Sequence, residues 1–239
     1  MTSSSIKRKS KTLTIALTGV WMAIAALCTP AARAKGKAPV GPDSISAREA
    51  FVKLPLGTLD LLRRSTRLDM LDYFDADSIW QAPNAMEGSS HLIDVTPDYL
   101  KASITDVSTL TVRTLPSPAG TIVMTLYTVG TPEEGPDTEI RFFDAAMNPL
   151  ETRKFISTPE VKDFLDIPKG VNRKEIESLI PFPTVEWSVA KESPTLTGRM
   201  TLGNHLPLES SETVSKYLRP ALTWTWNGKK FSHKIPNLP

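Results

Sequence analysis

The sequence predicts an α+β fold made of two tandem units, each a helix pair followed by an antiparallel meander of four strands. Helix-like stretches occur in two places, and alternating β-branched segments follow each of them. Turn signals also fall at equivalent positions in the two halves, which indicates a pseudo-repeat. We expect helices to cover one face of each sheet and the other face to be exposed to solvent. The alternative is one continuous β-sandwich with helices appended.

A leader precedes the folded part of the chain. Residues 7–11 are basic except for Ser10, residues 13–27 are apolar, and Ala32-Arg33-Ala34 fits a signal-peptidase site. The apolar run is shorter than the roughly 20 residues of a transmembrane helix. The sequence therefore predicts a signal peptide over residues 1–34 and a periplasmic or extracellular product without a transmembrane segment. The alternative, a lipoprotein anchored at Cys28, lacks the small residue that usually precedes the lipidated cysteine.

Removing this leader changes the charge and the cysteine count. The whole chain has 28 basic and 26 acidic residues, and five of the basic ones lie in the leader. The predicted mature chain has 23 basic and 26 acidic residues, a net charge of −3, so nothing indicates a nucleic-acid partner. Cys28 is the only cysteine and leaves with the leader, which excludes cysteine nucleophiles and cysteine-based zinc sites.

The first unit is predicted over residues 46–157, after a flexible tether rich in Lys, Gly and Pro at 35–45. Its helix pair is expected at 58–65 and 66–75, the second helix with Thr66 as N-cap. An additional segment, 78–107, separates the helices from the meander. The strands are predicted at 109–115, 121–129, 138–144 and 150–156, with an Asp-x-x-x-Asn-Pro turn before the last.

The second unit is predicted over residues 158–239. One helix is expected to begin at Thr158-Pro159-Glu160 and another to follow the N-cap Asn172. A long connection, residues 203–220, lies between the second and third strands, and loops of that length are often functional. The strands are predicted at 184–190, 195–202, 221–227 and 229–235.

The C-terminal stretch LTWTWNGKKF predicts a hairpin, because Asn-Gly favours a two-residue type I′ turn. That turn would pair Trp226 with Lys229 and place Trp224 on the apolar face. We expect Trp187 and Trp224 to be core residues. Trp226 is expected at the rim, where a contact with the Lys229 ammonium would leave its ring partly exposed to a ligand or partner.

Candidate ligand-binding residues are therefore Trp226 and Lys229, with His205 of the long connection as a third. The three histidines do not stand at a metal-ligand spacing, so no metal or cofactor is predicted. The segment that starts at Asp75 begins like a calcium loop, but Trp80 and Met86 replace the required Gly and Glu. The acidic residues there are interpreted as a solvated helix face, and no catalytic motif occurs elsewhere.

Two longer stretches, TLDLLRRSTRLDMLDYFDA and TIVMTLYTVGTPEEGPDTEIRFFDAAMNPL, resemble a family of exported bacterial proteins of unknown function found mainly in Bacteroidetes. The resemblance covers most of the mature chain and implies no activity, cofactor or catalytic residue. The order of helices and strands is also similar to that of small periplasmic modules of the β-lactamase-inhibitor-protein type, a likeness of fold that carries no function.

The functional hypothesis from sequence is an exported cell-envelope protein that binds a protein or glycan partner without catalysing a reaction. The polar outer faces expected of the sheets, the two long loops and the lack of a catalytic motif favour it. The alternative is a hydrolase of envelope glycan or peptide, with acids or His205 brought together by folding. Carboxylates converging in a cleft would favour the hydrolase, whereas a flat apolar patch would favour binding.

Overall fold

Two antiparallel sheets, of seven and four strands, dominate the computed structural model, which describes residues 44–202 and 206–233. In both sheets the strands follow one another in chain order, so each is a simple meander. The larger sheet contains β1 (Ala82–Pro83), β2 (Ser89–Val95), β3 (Tyr99–Thr105), β4 (Ser108–Leu115), β5 (Ile122–Val129), β6 (Asp137–Phe143) and β7 (Pro149–Leu150). The smaller sheet contains β8 (Thr184–Val189), β9 (Thr195–Thr201), β10 (Leu222–Trp226) and β11 (Phe231–His233).

Four α-helices and two short 3-10 helices accompany the sheets in the described ranges. Helix α1 begins at a capping box, in which the Ser46 hydroxyl accepts from the Glu49 amide while the Glu49 carboxylate accepts from the Ser46 amide. The α-helices are α1 (Ala47–Lys53), α2 (Arg64–Asp75), α3 (Arg173–Ser178) and α4 (Leu208–Ser215), and the 3-10 helices are Thr152–Lys154 and Val161–Phe164.

The seven-stranded sheet is the middle of three layers. Side chains of α1 and α2 form one core with alternate residues of β2 to β5, such as Val123. The opposite face of the same sheet packs on the four-stranded sheet, and Met124 belongs to that second core. Because successive residues of a strand point to opposite faces, adjacent residues that are both buried place the sheet between two covering layers.

Side chains of β6 join the two sheets. The amides of Val185 and Trp187, on the outer edge of β8, donate to Asp137 Oδ1 and Thr138 Oγ1, both at 3.0 Å. An edge strand normally leaves such donors free to pair with another chain. Here they are satisfied inside the molecule, so this stretch of β8 is not open for strand addition.

A buried arginine ties α1 to α2. Arg67 lies within α2, and its Nη1 donates to the carbonyl oxygens of Phe51 at 2.8 Å and Leu54 at 3.1 Å. These carbonyls lie at the C-terminal end of α1, where helix geometry leaves backbone acceptors without intrahelical partners. Burial, and then the nearby Arg64, lowers the pKa of Arg67. The arginine therefore fixes the position of α2, which forms one wall of the cleft described below.

The α+β class is confirmed, whereas the tandem helix-helix-meander repeat is not. Residues 78–107, expected to precede the first meander, contain β1, β2 and β3, so the first sheet has seven strands. The predicted strand 150–156 is wrong after Leu150, because the chain turns into a 3-10 helix at Thr152. The division of the chain into units at residues 157 and 158 stays a prediction.

The helix predictions differ from the structure in position. No helix covers 58–63, and residues 64 and 65 belong to the start of α2; the first helix is α1, which buries Ala47, Ala50 and Phe51. Thr66 lies inside α2, and the N-cap position is Arg63. Asn172 does precede α3, as its spacing to Glu175 predicts. The long connection 203–220 contains α4, and none of the described helices is long and apolar enough to cross a bilayer.

Candidate functional site

Trp226, the aromatic expected at the rim, lies in the core. Its side chain is 7 % exposed, and its indole Nε1 donates to the Pro116 carbonyl at 2.7 Å. The ring centroid lies 5.2 Å from that of Phe231 and 6.3 Å from that of Phe155. Trp224 and Trp187 are buried as predicted.

The hairpin register also differs from the prediction, by two residues. Trp226 pairs with Phe231 rather than with Lys229. The Asn227 side-chain oxygen accepts from the amides of Lys229 and Lys230 at 3.0 and 2.9 Å, which makes a four-residue loop. A shift of two residues preserves which side chains share a face, so the predicted apolar face is retained.

The remaining candidates are Lys229 and His205. Lys229 is exposed in the hairpin loop, and its predicted pairing with Trp226 is wrong. His205 lies outside the described residues. A ligand-binding role for Trp226, Lys229 or His205 stays a prediction.

A different tryptophan stands at the mouth of a cleft. Trp80 is 72 % exposed and the preceding Ile79 is 96 % exposed, whereas the other described tryptophans are buried. The cleft beside them has a volume of about 230 Å³ and lies between α2 and the first strands of the large sheet. It is lined by Met70, Tyr73, Phe74, Ser78, Ile79, Trp80, Gln81, Ser90, His91 and Leu92.

The end of α2 directs Trp80 to this position. Asp77 adopts a left-handed conformation with φ of +49°, and its amide donates to the Phe74 carbonyl. The Ser78 amide donates to the Tyr73 carbonyl at 2.9 Å. These two bonds form a Schellman motif, the common way to end a helix and reverse the chain. The Ser78 hydroxyl then accepts from the Trp80 amide at 3.1 Å, which holds the segment against the helix end.

The opposite wall of the cleft is fixed by hydrogen bonds around the β1–β2 turn. Asn84 is buried, and its side-chain oxygen accepts from the amides of Met86 and Gly88 at 3.0 and 3.1 Å. Its amide nitrogen donates to the Ile104 carbonyl at 2.9 Å. Ser90 donates to the same carbonyl at 2.6 Å. This network holds β1 and β2 in place beside the cleft, and it does not use the exposed polar groups of the cleft.

The cleft has no ionic lining in the described part of the chain, since Asp, Glu, Lys and Arg are all missing from its walls. An ion pair lies outside the cleft, where Arg48 donates to both carboxylate oxygens of Asp75, at 2.8 and 2.5 Å. That hydrogen bonding lowers the pKa of Asp75 and raises the pKa of Arg48. The pair braces α1 against the end of α2, and neither member lines the cleft.

Hydrogen-bonding side chains and aromatic rings suit a neutral ligand with apolar faces. Gln81, Ser78 and His91 offer donors and acceptors, and Trp80 offers a flat face. Within the described ranges no three His, Cys, Asp or Glu side chains converge to hold a metal ion. The geometry supports binding and supplies no carboxylate pair for hydrolysis at this cleft.

Sequence reasoning missed this site because Trp80 lies in the segment 78–107, for which no structure was predicted. The available signal was the position of Trp80 between Ile79 and Gln81, immediately after a helix end and outside any alternating strand pattern. An aromatic residue in such a place has no predicted core to fill, so it is a better candidate for an exposed role than a tryptophan in phase with buried neighbours.

Comparisons with known proteins identify the family. A solved structure titled as a domain of an uncharacterized protein from Porphyromonas gingivalis W83 is similar to this chain, with a TM-score of 0.65 and 21 % sequence identity. The match covers 79 % of this chain and 97 % of that one, and at this identity it shows the fold alone. A search of curated proteins found no match. The family model described as "Protein of unknown function (DUF3256)" matches residues 41–231, and the chain therefore belongs to the DUF3256 family.

Proposed function

We propose that this protein is an exported, non-enzymatic cell-envelope protein that binds a neutral glycan in the Trp80 cleft. The observation that carries the proposal is a largely exposed tryptophan beside a cleft that, in the described part of the chain, is lined by no Asp, Glu, Lys or Arg. A sugar ring presents C–H groups on one face and hydroxyls around its rim. The indole face suits the first, and Gln81, Ser78 and His91 suit the second.

The size and shape of the cleft favour a small part of a longer chain. Ligand pockets for drug-sized molecules hold about 300–1,000 Å³, and this cleft holds about 230 Å³. One sugar unit with its neighbours extending into solvent fits better than a compact ligand that is fully enclosed. Ile79, almost fully exposed beside Trp80, extends the apolar surface that such a neighbouring unit would cover.

The non-enzymatic part of the proposal rests on the same lining. Most glycoside hydrolases use two carboxyl groups about 5–10 Å apart, on either side of the scissile bond. No carboxyl group lines the Trp80 cleft in the described ranges. A neighbouring groove, which shares His91 with the cleft, is lined by two carboxyl groups, those of Asp106 and Glu186. Glu186 is held by Arg199 in an ion pair.

Trp80→Ala is expected to weaken glycan binding by about tenfold or more, by analogy with a base stacked on an aromatic side chain, which contributes about 1–3 kcal/mol. The side chain is 72 % exposed, so the free energy of unfolding should change by only about 0.5 kcal/mol. Isothermal titration calorimetry with neutral N-acetylhexosamine and hexose oligosaccharides measures the first quantity, and urea denaturation the second.

Leu56→Ala is the matched control, because Leu56 is 95 % exposed and does not line the cleft. It should leave binding unchanged. Absence of binding to every neutral oligosaccharide, together with Trp80-dependent capture of a protein from the envelope fraction, would replace the glycan by a protein partner. Equal binding by wild type and Trp80→Ala would contradict the assignment of the cleft.

The export part of the proposal follows from the leader. A basic segment, an apolar run and the Ala32-Arg33-Ala34 site predict cleavage after Ala34. N-terminal sequencing of the protein isolated from cells should therefore begin at Lys35. A chain that begins at Cys28 would indicate a lipoprotein, and an uncleaved leader would contradict export by this route.

A further inference from the structure

A second pocket, of about 360 Å³, lies between the 3-10 helix that follows β7 and the hairpin β10–β11. It differs from the Trp80 cleft because its polar lining is basic. The groups that the inference uses are Arg153, Lys154, Ser157, Lys230, Ser232 and His233.

Positive charge exceeds negative charge at this pocket. Arg153 and Lys154 share one carboxylate, that of Glu151, at 2.8 and 3.4 Å. Lys230 is exposed and forms no ion pair with any described residue. Three cations against one carboxylate stand out in a chain whose predicted mature part carries a net negative charge. Such a concentration of cations raises the local affinity for anions.

His233 adds an unused polar atom. Its Nδ1 lies 2.7 Å from the Thr223 carbonyl oxygen, so Nδ1 carries a hydrogen and donates it. The ring packs against Trp224 with centroids 4.7 Å apart, which fixes its orientation. Nε2 is then buried without a hydrogen-bond partner in the described part of the chain. A buried polar atom without a partner is costly, and a ligand that supplies one recovers that cost.

We propose that this pocket binds a hydroxylated ligand through an oxyanion, either a carboxylate or a phosphate. Lys230, Arg153 and Lys154 attract the oxyanion, and the Ser157 and Ser232 hydroxyls donate to it. A ligand hydroxyl donates to His233 Nε2. This site lies in the small-sheet half of the molecule and shares no lining residue with the Trp80 cleft, so it is independent of the proposed neutral-glycan function.

The test uses the full chain and two probes at constant ionic strength, with glucuronate for a carboxylate and inorganic phosphate for a phosphate. Titration calorimetry should show binding of at least one of them, and no binding of glucose. Lys230→Gln should weaken that binding by about tenfold, near the lower end of what a hydrogen bond to a charged group contributes. Lys174→Gln is the matched control, because Lys174 is an exposed lysine on α3 that does not line the pocket.

His233→Asn distinguishes the contribution of Nε2 from that of Nδ1. The asparagine amide can still donate to the Thr223 carbonyl, as Nδ1 does, but nothing replaces Nε2. Glucuronate binding should therefore fall while the melting temperature stays close to that of the wild type. Binding of glucuronate alone or phosphate alone decides which oxyanion the site takes.

Three results would overturn the proposal. One is the absence of binding by both probes. Another is equal affinity in Lys230→Gln and the wild type. The last is an equal loss in the Lys174→Gln control, which would show general charge attraction. Because Trp80→Ala should leave these affinities unchanged, failure here is distinguishable from failure of the neutral-glycan proposal.

Discussion

Trp226→Ala is expected to lower the free energy of unfolding by about 3–5 kcal/mol, as much as Trp224→Ala, because both replacements empty a packed aromatic site. The side chains are 7 % and 4 % exposed, and each contacts at least two other rings. Trp226 also joins the small sheet to the β4–β5 loop through its bond to the Pro116 carbonyl. A loss of this size is a large share of the 5–15 kcal/mol of a typical domain.

Urea denaturation of the two alanine variants measures this effect, and Trp226→Phe divides it. Phenylalanine keeps an aromatic ring in the core but removes the indole donor and part of the ring volume, so its loss should be smaller than that of alanine and at least the roughly 0.5–1.5 kcal/mol of the hydrogen bond. A mild loss for Trp226→Ala beside a severe loss for Trp224→Ala would restore the rim position that the sequence predicted. It would also contradict the observed burial.

Gly198→Ala is expected to lower the free energy of unfolding by about 1–3 kcal/mol. At an ordinary strand position the same replacement would raise it by roughly 0.5–1 kcal/mol, because glycine loses more backbone entropy on folding than alanine does. A Cβ at this position would lie 2.8 Å from Cζ3 of Trp187 and 3.0 Å from Cε3. The Trp187 ring cannot easily move aside, because it is buried and packs on Trp224 with centroids 4.7 Å apart. The sign of the effect is therefore opposite to that at an open strand position.

A double-mutant cycle tests this explanation directly. Trp187→Phe removes the six-membered indole ring that contains the clashing atoms, so Gly198→Ala should cost less in that background than in the wild type. Chemical denaturation of the four proteins gives the interaction energy. An alanine penalty that is unchanged in the Trp187→Phe background would show that the crowding comes from elsewhere, and a stabilised single variant would contradict the packing of Trp187 over Gly198.

Alternating patterns identified the strands that are half-buried and regular. The predicted face of Leu222, Trp224 and Trp226 is correct because alternation reports only which side chains share a side of the sheet. The same pattern cannot report register to within two residues. Here the Asn227 side chain accepts from two loop amides and lengthens the turn, a local competition between side chain and ladder that residue types alone did not decide.

The first strands of the large sheet were missed for a different reason. Strand β2 reads SSHLIDV, in which Ser, His and Asp occupy positions along one edge of the sheet and a bulge interrupts pairing between Leu92 and Asp94. The polar composition and the bulge both weaken the period-two signal. The start of α2 was misplaced because Thr66 and Asp69 imitate a capping box inside this helix. Helix α1 was missed because the true box at Ser46 precedes a helix of only seven residues.

Identifying the candidate site required the tertiary structure to an even greater extent than placing these strands and helices did. Nothing local distinguishes Trp80 from the buried tryptophans except the lack of an apolar pattern around it. Its neighbours in the cleft come from α2 and β2, which the sequence did not bring together. An exposed aromatic side chain is recognised only when the surrounding chain has been placed.

Acrylamide quenching of tryptophan fluorescence tests the central claim, that the Trp80 cleft is the ligand site, most directly. Trp187, Trp224 and Trp226 are 8, 4 and 7 % exposed, so the difference in quenching between the wild type and Trp80→Phe reports on Trp80. Saturating neutral oligosaccharide should shrink this difference as the sugar covers the indole face. A bound oligosaccharide that leaves the quenching of Trp80 unchanged would place the glycan elsewhere and contradict the claim.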